Sequence, residues 1–191
     1  MLTVILATHE SERALVQTLA PLVSGATAGL ITEVIVADAG STDATAEVAD
    51  LAGCRFITAD AAVGARLRRA AAEARAPWLL FLRPGTVPEP GWTEAVESFI
   101  GSGRDTAQAA VFRLRADEFA EPGLAAALRA LRAALFGTSP DPAQGLLIAR
   151  RLYDSLGGHA AGDDAEAALL KRLGRRRIAL LAAAARPPQY T

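Results

Sequence analysis

Short apolar runs at residues 2–7, 33–37, 55–58 and 78–82 alternate with stretches of helical spacing, and this alternation most constrains what the chain can fold into. Residues 11–23 repeat Leu15, Leu19, Leu22 and Val23 at helical intervals, with Gly25 and Gly29 expected to end that helix. Residues 43–51 and 64–76 are Ala-rich helices by the same reading, and Pro77 closes the second. Strands alternating with helices predict βαβ units and a parallel sheet. Beyond a breaker-rich loop at residues 83–91, the pattern predicts a helix at 92–100 anchored by Trp92, a strand at 107–114 and an amphipathic helix at 122–136. A turn at 140–142, a strand at 145–149, helices at 150–156 and 163–173, and a last strand at 178–182 follow.

The stretch VIVADAGSTDAT at residues 34–45 joins structure to chemistry. An apolar strand runs into Asp38, a small polar turn follows, and a helix begins. A carboxylate at the C-terminal end of a buried strand stands where open α/β sheets bind ligands. Asp38 is therefore expected on a central parallel strand, facing a cleft, with Asp43 or Ser41 capping the next helix.

At 191 residues, one domain is expected. With 51% apolar residues, 21% charged residues and a formal net charge of −1, the chain resembles neither a nucleic-acid binder nor a disordered segment. Its single cysteine, Cys54, excludes an internal disulfide and reads as a buried, inert thiol. The opening residues MLTVILATHE read as a strand and not a signal peptide, and no stretch has the ~20 apolar residues of a membrane span, so a cytoplasmic protein is expected. Lys171, Arg172 and Arg175–Arg177 form a basic cluster that reads as a solvated helix end, with weak peripheral membrane contact as the alternative.

The segment around Asp38 resembles the V-V-D-D/G-G-S-x-D-x-T element of family 2 glycosyltransferases. VILATHESERAL is similar to that family's V-I-I-P-x-x-N-E opening, with Leu6 for the Pro, His9 for the Asn and Glu10 kept. GARLRRAAAEARAPWLLFL resembles its Gly/Arg-containing helix and L-L-F-L strand. QGLLIARRLYDSLGG and DDAEAALLKRLG resemble two later elements. The similarity runs over nearly the whole chain and is nearest to a small bacterial group associated with radical-SAM/selenodomain proteins. It implies an α/β fold: a single GT-A-like domain, residues 1–186, with a mostly parallel central sheet flanked by helices and a weakly ordered tail at 187–191. It also implies transfer of a sugar from a nucleotide-diphospho-sugar to an unidentified acceptor.

The resemblance also implies roles. Asp38 would read the base; Arg83, with Arg66 or Arg68 after Gly64, would hold the donor diphosphate; Asp164 of the Asp163–Asp164 pair would be the general base, with Asp163 and Glu166 on the acceptor side. Asp163 and Asp164 read equally as acidic residues favoured by a helix dipole, Arg66 and Arg68 as helix-surface arginines, and His159 as a solvent-exposed loop residue. The family's divalent metal, Mg²⁺ or Mn²⁺, is held through a D-x-D signature after the L-L-F-L strand. Here that position reads Arg83-Pro84-Gly85. Hard cations need oxygen ligands, so no metal site carries over, and Arg83 either replaces the metal or is a solvated loop residue. Returning Asp to positions 83 and 85 would then be expected to restore metal dependence. A binding or scaffold protein that kept the fold and lost the metal is the alternative function, and nucleotidyl transfer a third.

Overall fold

The computed structural model describes residues 1–102, 109–115 and 140–188. Strands β1 (Leu2–Thr8), β2 (Ile31–Asp38), β3 (Arg55–Thr58) and β4 (Trp78–Leu82) alternate with helices α1 (Glu12–Thr27), α2 (Thr45–Leu51) and α3 (Val63–Glu73). These four strands pair in parallel in the order β3-β2-β1-β4. Then follow β5 (Val87–Pro88), α4 (Trp92–Gly101), β6 (Ala109–Leu114), β7 (Leu146–Ala149), α5 (Arg150–Ser155), α6 (Ala165–Leu173) and β8 (Ile178–Arg186). They extend the sheet as β4-β7-β6-β8-β5, with only the β6–β8 pairing parallel. The sheet is thus parallel over β3-β2-β1-β4 and mixed over the rest.

The parallel strands are buried on both faces: Val4, Ile5, Leu6, Ile35, Leu79 and Leu80 are all fully inaccessible. That is why they read as continuous apolar runs and not as alternating ones. The chain winds outward from β1 to β2 and β3, then returns to place β4 on the other side of β1. The junction of β1 and β4 is therefore a switch point, where the loops leaving the strand ends diverge and open a crevice.

Local signals misplace several boundaries. Gly25 does not end α1, which continues through Pro21 and Gly25 to Thr27. A Cβ at Gly25 would stand 2.5 Å from the Trp92 ring, so this glycine admits the indole of α4. Trp92 Nε1 donates to the Pro21 carbonyl at 3.0 Å, tying α4 to α1. Gly29, at φ +70°, is the actual stop. Helix α3 ends at Glu73, not Ala76, because Arg150 donates to the Ala74 and Ala76 carbonyls and holds that segment extended. The loop at 83–91 contains edge strand β5, and β8 runs on to Arg186 because it pairs with β5 and β6. The expected helix at 122–136 lies outside the described residues, as do 107–108 of the expected strand and 189–191 of the tail.

Among the described residues no helix is long and apolar enough to cross a membrane. Cys54 is partly buried, and burial pushes its thiol up to about 11, which suits an inert residue.

Candidate functional site

Two loops leave the parallel strands and lock together. After β2, Asp38 Oδ2 accepts the backbone N–H groups of Gly40 and Ser41 at 2.7 and 2.6 Å. Its Oδ1 accepts the hydroxyls of Thr8 and Ser41 at 2.7 and 2.6 Å. Asp38 is 1% exposed, so its carboxylate turns into the loop and not out to a cleft. Burial works to raise its pKa, yet the bonds from Ser41, Thr8 and Gly40 together hold it below the ordinary value.

After β1, Glu10 adopts φ +47°, a left-handed conformation uncommon outside glycine. The strained turn lets the Glu10 N–H donate to Ser41 Oγ at 2.8 Å, while Glu10 Oε1 accepts the Thr42 N–H at 2.6 Å. Asp43 accepts the first amide of α1, at Glu12, and the first of α2, at Thr45, both at 3.0 Å. One carboxylate thus satisfies the starts of two helices, whereas Ser41 caps neither.

The crevice at the β1–β4 junction has a volume near 430 Å³ and is lined by His9, Glu10, Gln17, Arg66, Arg83 and Glu166, among others. That lies within the size range of small-ligand sites. Arg66, 8% exposed, reaches across from α3. Its Nη1 donates to the Thr8 and Ala37 carbonyls at 2.7 and 2.6 Å, and Nε to the Ala61 carbonyl at 3.0 Å. It therefore ties the C-terminal ends of β1 and β2 to α3 while forming part of the cleft wall. Burial lowers its pKa, opposed by the charges of Asp38 and Asp163. Arg68 is exposed and does not line the cleft.

Arg83 leaves the end of β4 and meets Glu166 from the first turn of α6, 83 residues away in sequence. Nε and Nη2 both converge on Glu166 Oε2, at 2.8 and 2.7 Å. Asp163 and Asp164 are exposed at the start of α6, with Asp164 in the N-cap position without a capping bond. Neither lines the cleft. Of the three acidic residues expected on this side, the fold brings Glu166 to Arg83.

Gly64 sets that placement. A Cβ there would lie 1.9 Å from the Ala160 carbonyl oxygen and 2.4 Å from Ala165 Cβ, so α3 and the loop before α6 touch backbone to backbone. The Gly64 N–H donates to the Gly162 carbonyl at 3.0 Å. An amide expected to suit an anion is thus taken by a carbonyl.

His159 is buried, 1% exposed, and not solvated as its Gly/Ala surroundings suggested. Nδ1 lies 2.9 Å from Tyr153 Oη, and its ring meets Phe81 edge-on at 4.7 Å. Burial, aided by the charge of Arg172, lowers its pKa to about 4, so it is neutral near pH 7. Arg172 donates to the Leu156 and Gly158 carbonyls and fixes the same turn. It is therefore engaged in the fold, while Lys171 and Arg175–Arg177 are exposed.

Among the described residues, those lining the cleft do not fit a divalent metal. Gly85 lacks a ligand atom and takes φ +87°. Asp38 and Glu10 already accept protein hydrogen bonds, and Glu166 is paired with a guanidinium. Among the described residues no three His, Cys, Asp or Glu side chains converge on one point.

Residues 3–149 match the model of glycosyl transferase family 2. The chain belongs to that family. Solved structures of glucosyl-3-phosphoglycerate synthase from Mycobacterium tuberculosis share its GT-A fold. One, the enzyme itself, is 25% identical with a TM-score of 0.69, covering 100% of this chain and 72% of the other. A second, in complex with Mn²⁺, UDP and glucosyl-3-phosphoglycerate, is 24% identical with a TM-score of 0.71, covering 100% and 73%. A third, in complex with Mg²⁺ and UDP, is 24% identical with a TM-score of 0.71, covering 100% and 72%. No curated protein matches the chain significantly.

His9, Glu10 and Gln17 line the cleft without having been assigned a role from sequence. The signal for Glu10 was its place in the first motif. Nothing local marks Gln17, which enters because α1 is fastened to the loop after β4, where the Gly85 N–H meets the Ala14 carbonyl and Thr18 Oγ1.

Proposed function

We propose that this chain transfers a sugar from a nucleotide-diphospho-sugar to an acceptor hydroxyl in the cleft between β1 and β4. The observation that carries the reading is the cleft itself, which opens at the switch point of a family 2 fold and holds the Arg83–Glu166 pair beside Arg66. Asp38 acts as a positioning residue: its four bonds shape the loop against which the base is read. Arg83 serves the donor diphosphate, and Arg66 adds positive charge to the same wall. Asp164 is the base that takes the proton of the acceptor hydroxyl as its oxygen attacks the anomeric carbon and the nucleoside diphosphate leaves. Its carboxylate lies outside the lining of the cleft but two residues before Glu166, which lines it, and is exposed without a capping bond, so an acceptor entering beside the donor can reach it. Asp163 and Glu166 belong to the acceptor side. The resemblance over nearly the whole chain supports a place near the radical-SAM/selenodomain-associated members.

The test is release of nucleoside diphosphate from a panel of UDP-, GDP-, ADP- and CDP-sugars, with and without phosphoglyceric acid, which is bound beside UDP in a related structure. Release from one donor, abolished in Asp164→Asn, is expected. The second reading, a non-catalytic binding protein on this fold, is favoured by Gly85 and by the engaged state of Asp38 and Glu10. Nucleotide binding with no release from any donor would support it.

A further inference from the structure

We infer that this cleft binds the diphosphate of its ligand without a divalent ion, through Arg83, in exchange for Glu166. This rests on the nucleotide-sugar reading above and concerns how that site recognises charge.

The Gly85 N–H donates to the Ala14 carbonyl at 3.0 Å and to Thr18 Oγ1 at 2.8 Å, so the loop after β4 is fastened to α1. At φ +87° this position suits glycine, and a Cβ would stand 3.2 Å from Pro188 of the segment after β8. A carboxylate at the family's ligand position would need both an unfavourable backbone and displacement of Pro188. A carboxylate at this position is therefore disfavoured by the loop's conformation, besides being absent from the sequence.

A cation stands nearby. Two N–H groups of Arg83 already hold one carboxylate oxygen inside the cleft, with the side chain about one-third exposed at 35%. A phosphate oxygen offers the same acceptor with more charge and answers the planar fork of a guanidinium well. Glu166 occupies the place of that anion. A diphosphate arriving there displaces Glu166 from Arg83 and leaves its carboxylate on the acceptor side of the cleft.

The experiment is calorimetric titration of the whole chain with UDP, GDP, ADP and CDP, in EDTA and in Mn²⁺. At least one nucleotide should bind with the same affinity in both buffers. Arg83→Ala should weaken that binding by about ten- to a hundredfold. Glu166→Gln keeps the shape but removes the competing charge, and should tighten it by about two- to fivefold, the worth of a part-exposed ion pair. A folding defect cannot produce that gain, so the second variant separates recognition from misfolding. Binding seen only with Mn²⁺ would overturn the metal-free site while leaving the nucleotide-sugar reading intact. EDTA-insensitive binding untouched by Arg83→Ala would overturn the exchange. No binding of any nucleotide in either buffer would overturn the reading on which the inference rests.

Discussion

Gly64 is the point where α3 meets the loop before α6, and Gly64→Ala tests that contact. A methyl group there would lie 1.9 Å from the Ala160 carbonyl oxygen, 2.8 Å from that of Gly162 and 2.4 Å from Ala165 Cβ. Two of the three obstacles are backbone atoms, which cannot step aside by changing rotamer. Overpacking a tight interface costs about 1–3 kcal/mol. Alanine in a helix offsets up to about 1 kcal/mol of this, less in a first turn such as this one. The expected net loss is about 1–2 kcal/mol, read as a lower urea midpoint at unchanged slope. Gly101, in the last turn of α4, supplies the control, since a methyl group added there would meet no atom of the described residues within 4 Å. Gly101→Ala should raise stability by about 0.4–1 kcal/mol. If Gly64→Ala proved as stabilising as Gly101→Ala, the close approach of α3 to the 160–162 backbone would be refuted, and with it the account of how Glu166 reaches Arg83.

Other consequences are open to direct measurement. His159 is held neutral with its pKa lowered to about 4 from 6.5, so its contribution to stability is complete above pH 6.5 and is lost as pH falls toward 4. The loss should reach roughly 3 kcal/mol and should vanish in His159→Phe, as chemical denaturation between pH 7 and 4 would reveal. Asp38→Asn replaces one acceptor oxygen with a donor facing N–H and O–H groups. It should destabilise by about 1.5–3 kcal/mol, and an unchanged melting temperature would count against the loop account. Arg83→Asp with Gly85→Asp should not create Mn²⁺-dependent nucleotide binding, because Asp at φ +87° costs about 1–2 kcal/mol and meets Pro188. This reverses the expectation from the motif alone, and Mn²⁺-enhanced affinity in that variant would refute the backbone argument.

Local pattern was enough for much of this protein. Runs such as 78–82 read as strands because strands buried on both faces are apolar throughout, and Asp38 read as a strand-end carboxylate because turn residues follow it at once. That residue 85 offers no side-chain ligand atom was equally visible, since it needs only the identity of that residue. What the side chains do was decided by the fold. Asp38 and Glu10 became loop fasteners because β1 and β2 are neighbours, which puts Glu10 beside Ser41 and Thr42 across about 31 residues of chain. Arg83 met Glu166, and not Asp164, because Gly64 lets α3 and the loop before α6 touch, which fixes the turn of α6 that faces the cleft. His159 was buried because the 156–159 turn folds onto Phe81 and Tyr153. Sequence periodicity reports burial along one element. It carries no information on which oxygen lies within 3 Å of a given N–H once the elements pack, and that distance decides whether a carboxylate binds a ligand, a metal or the protein itself.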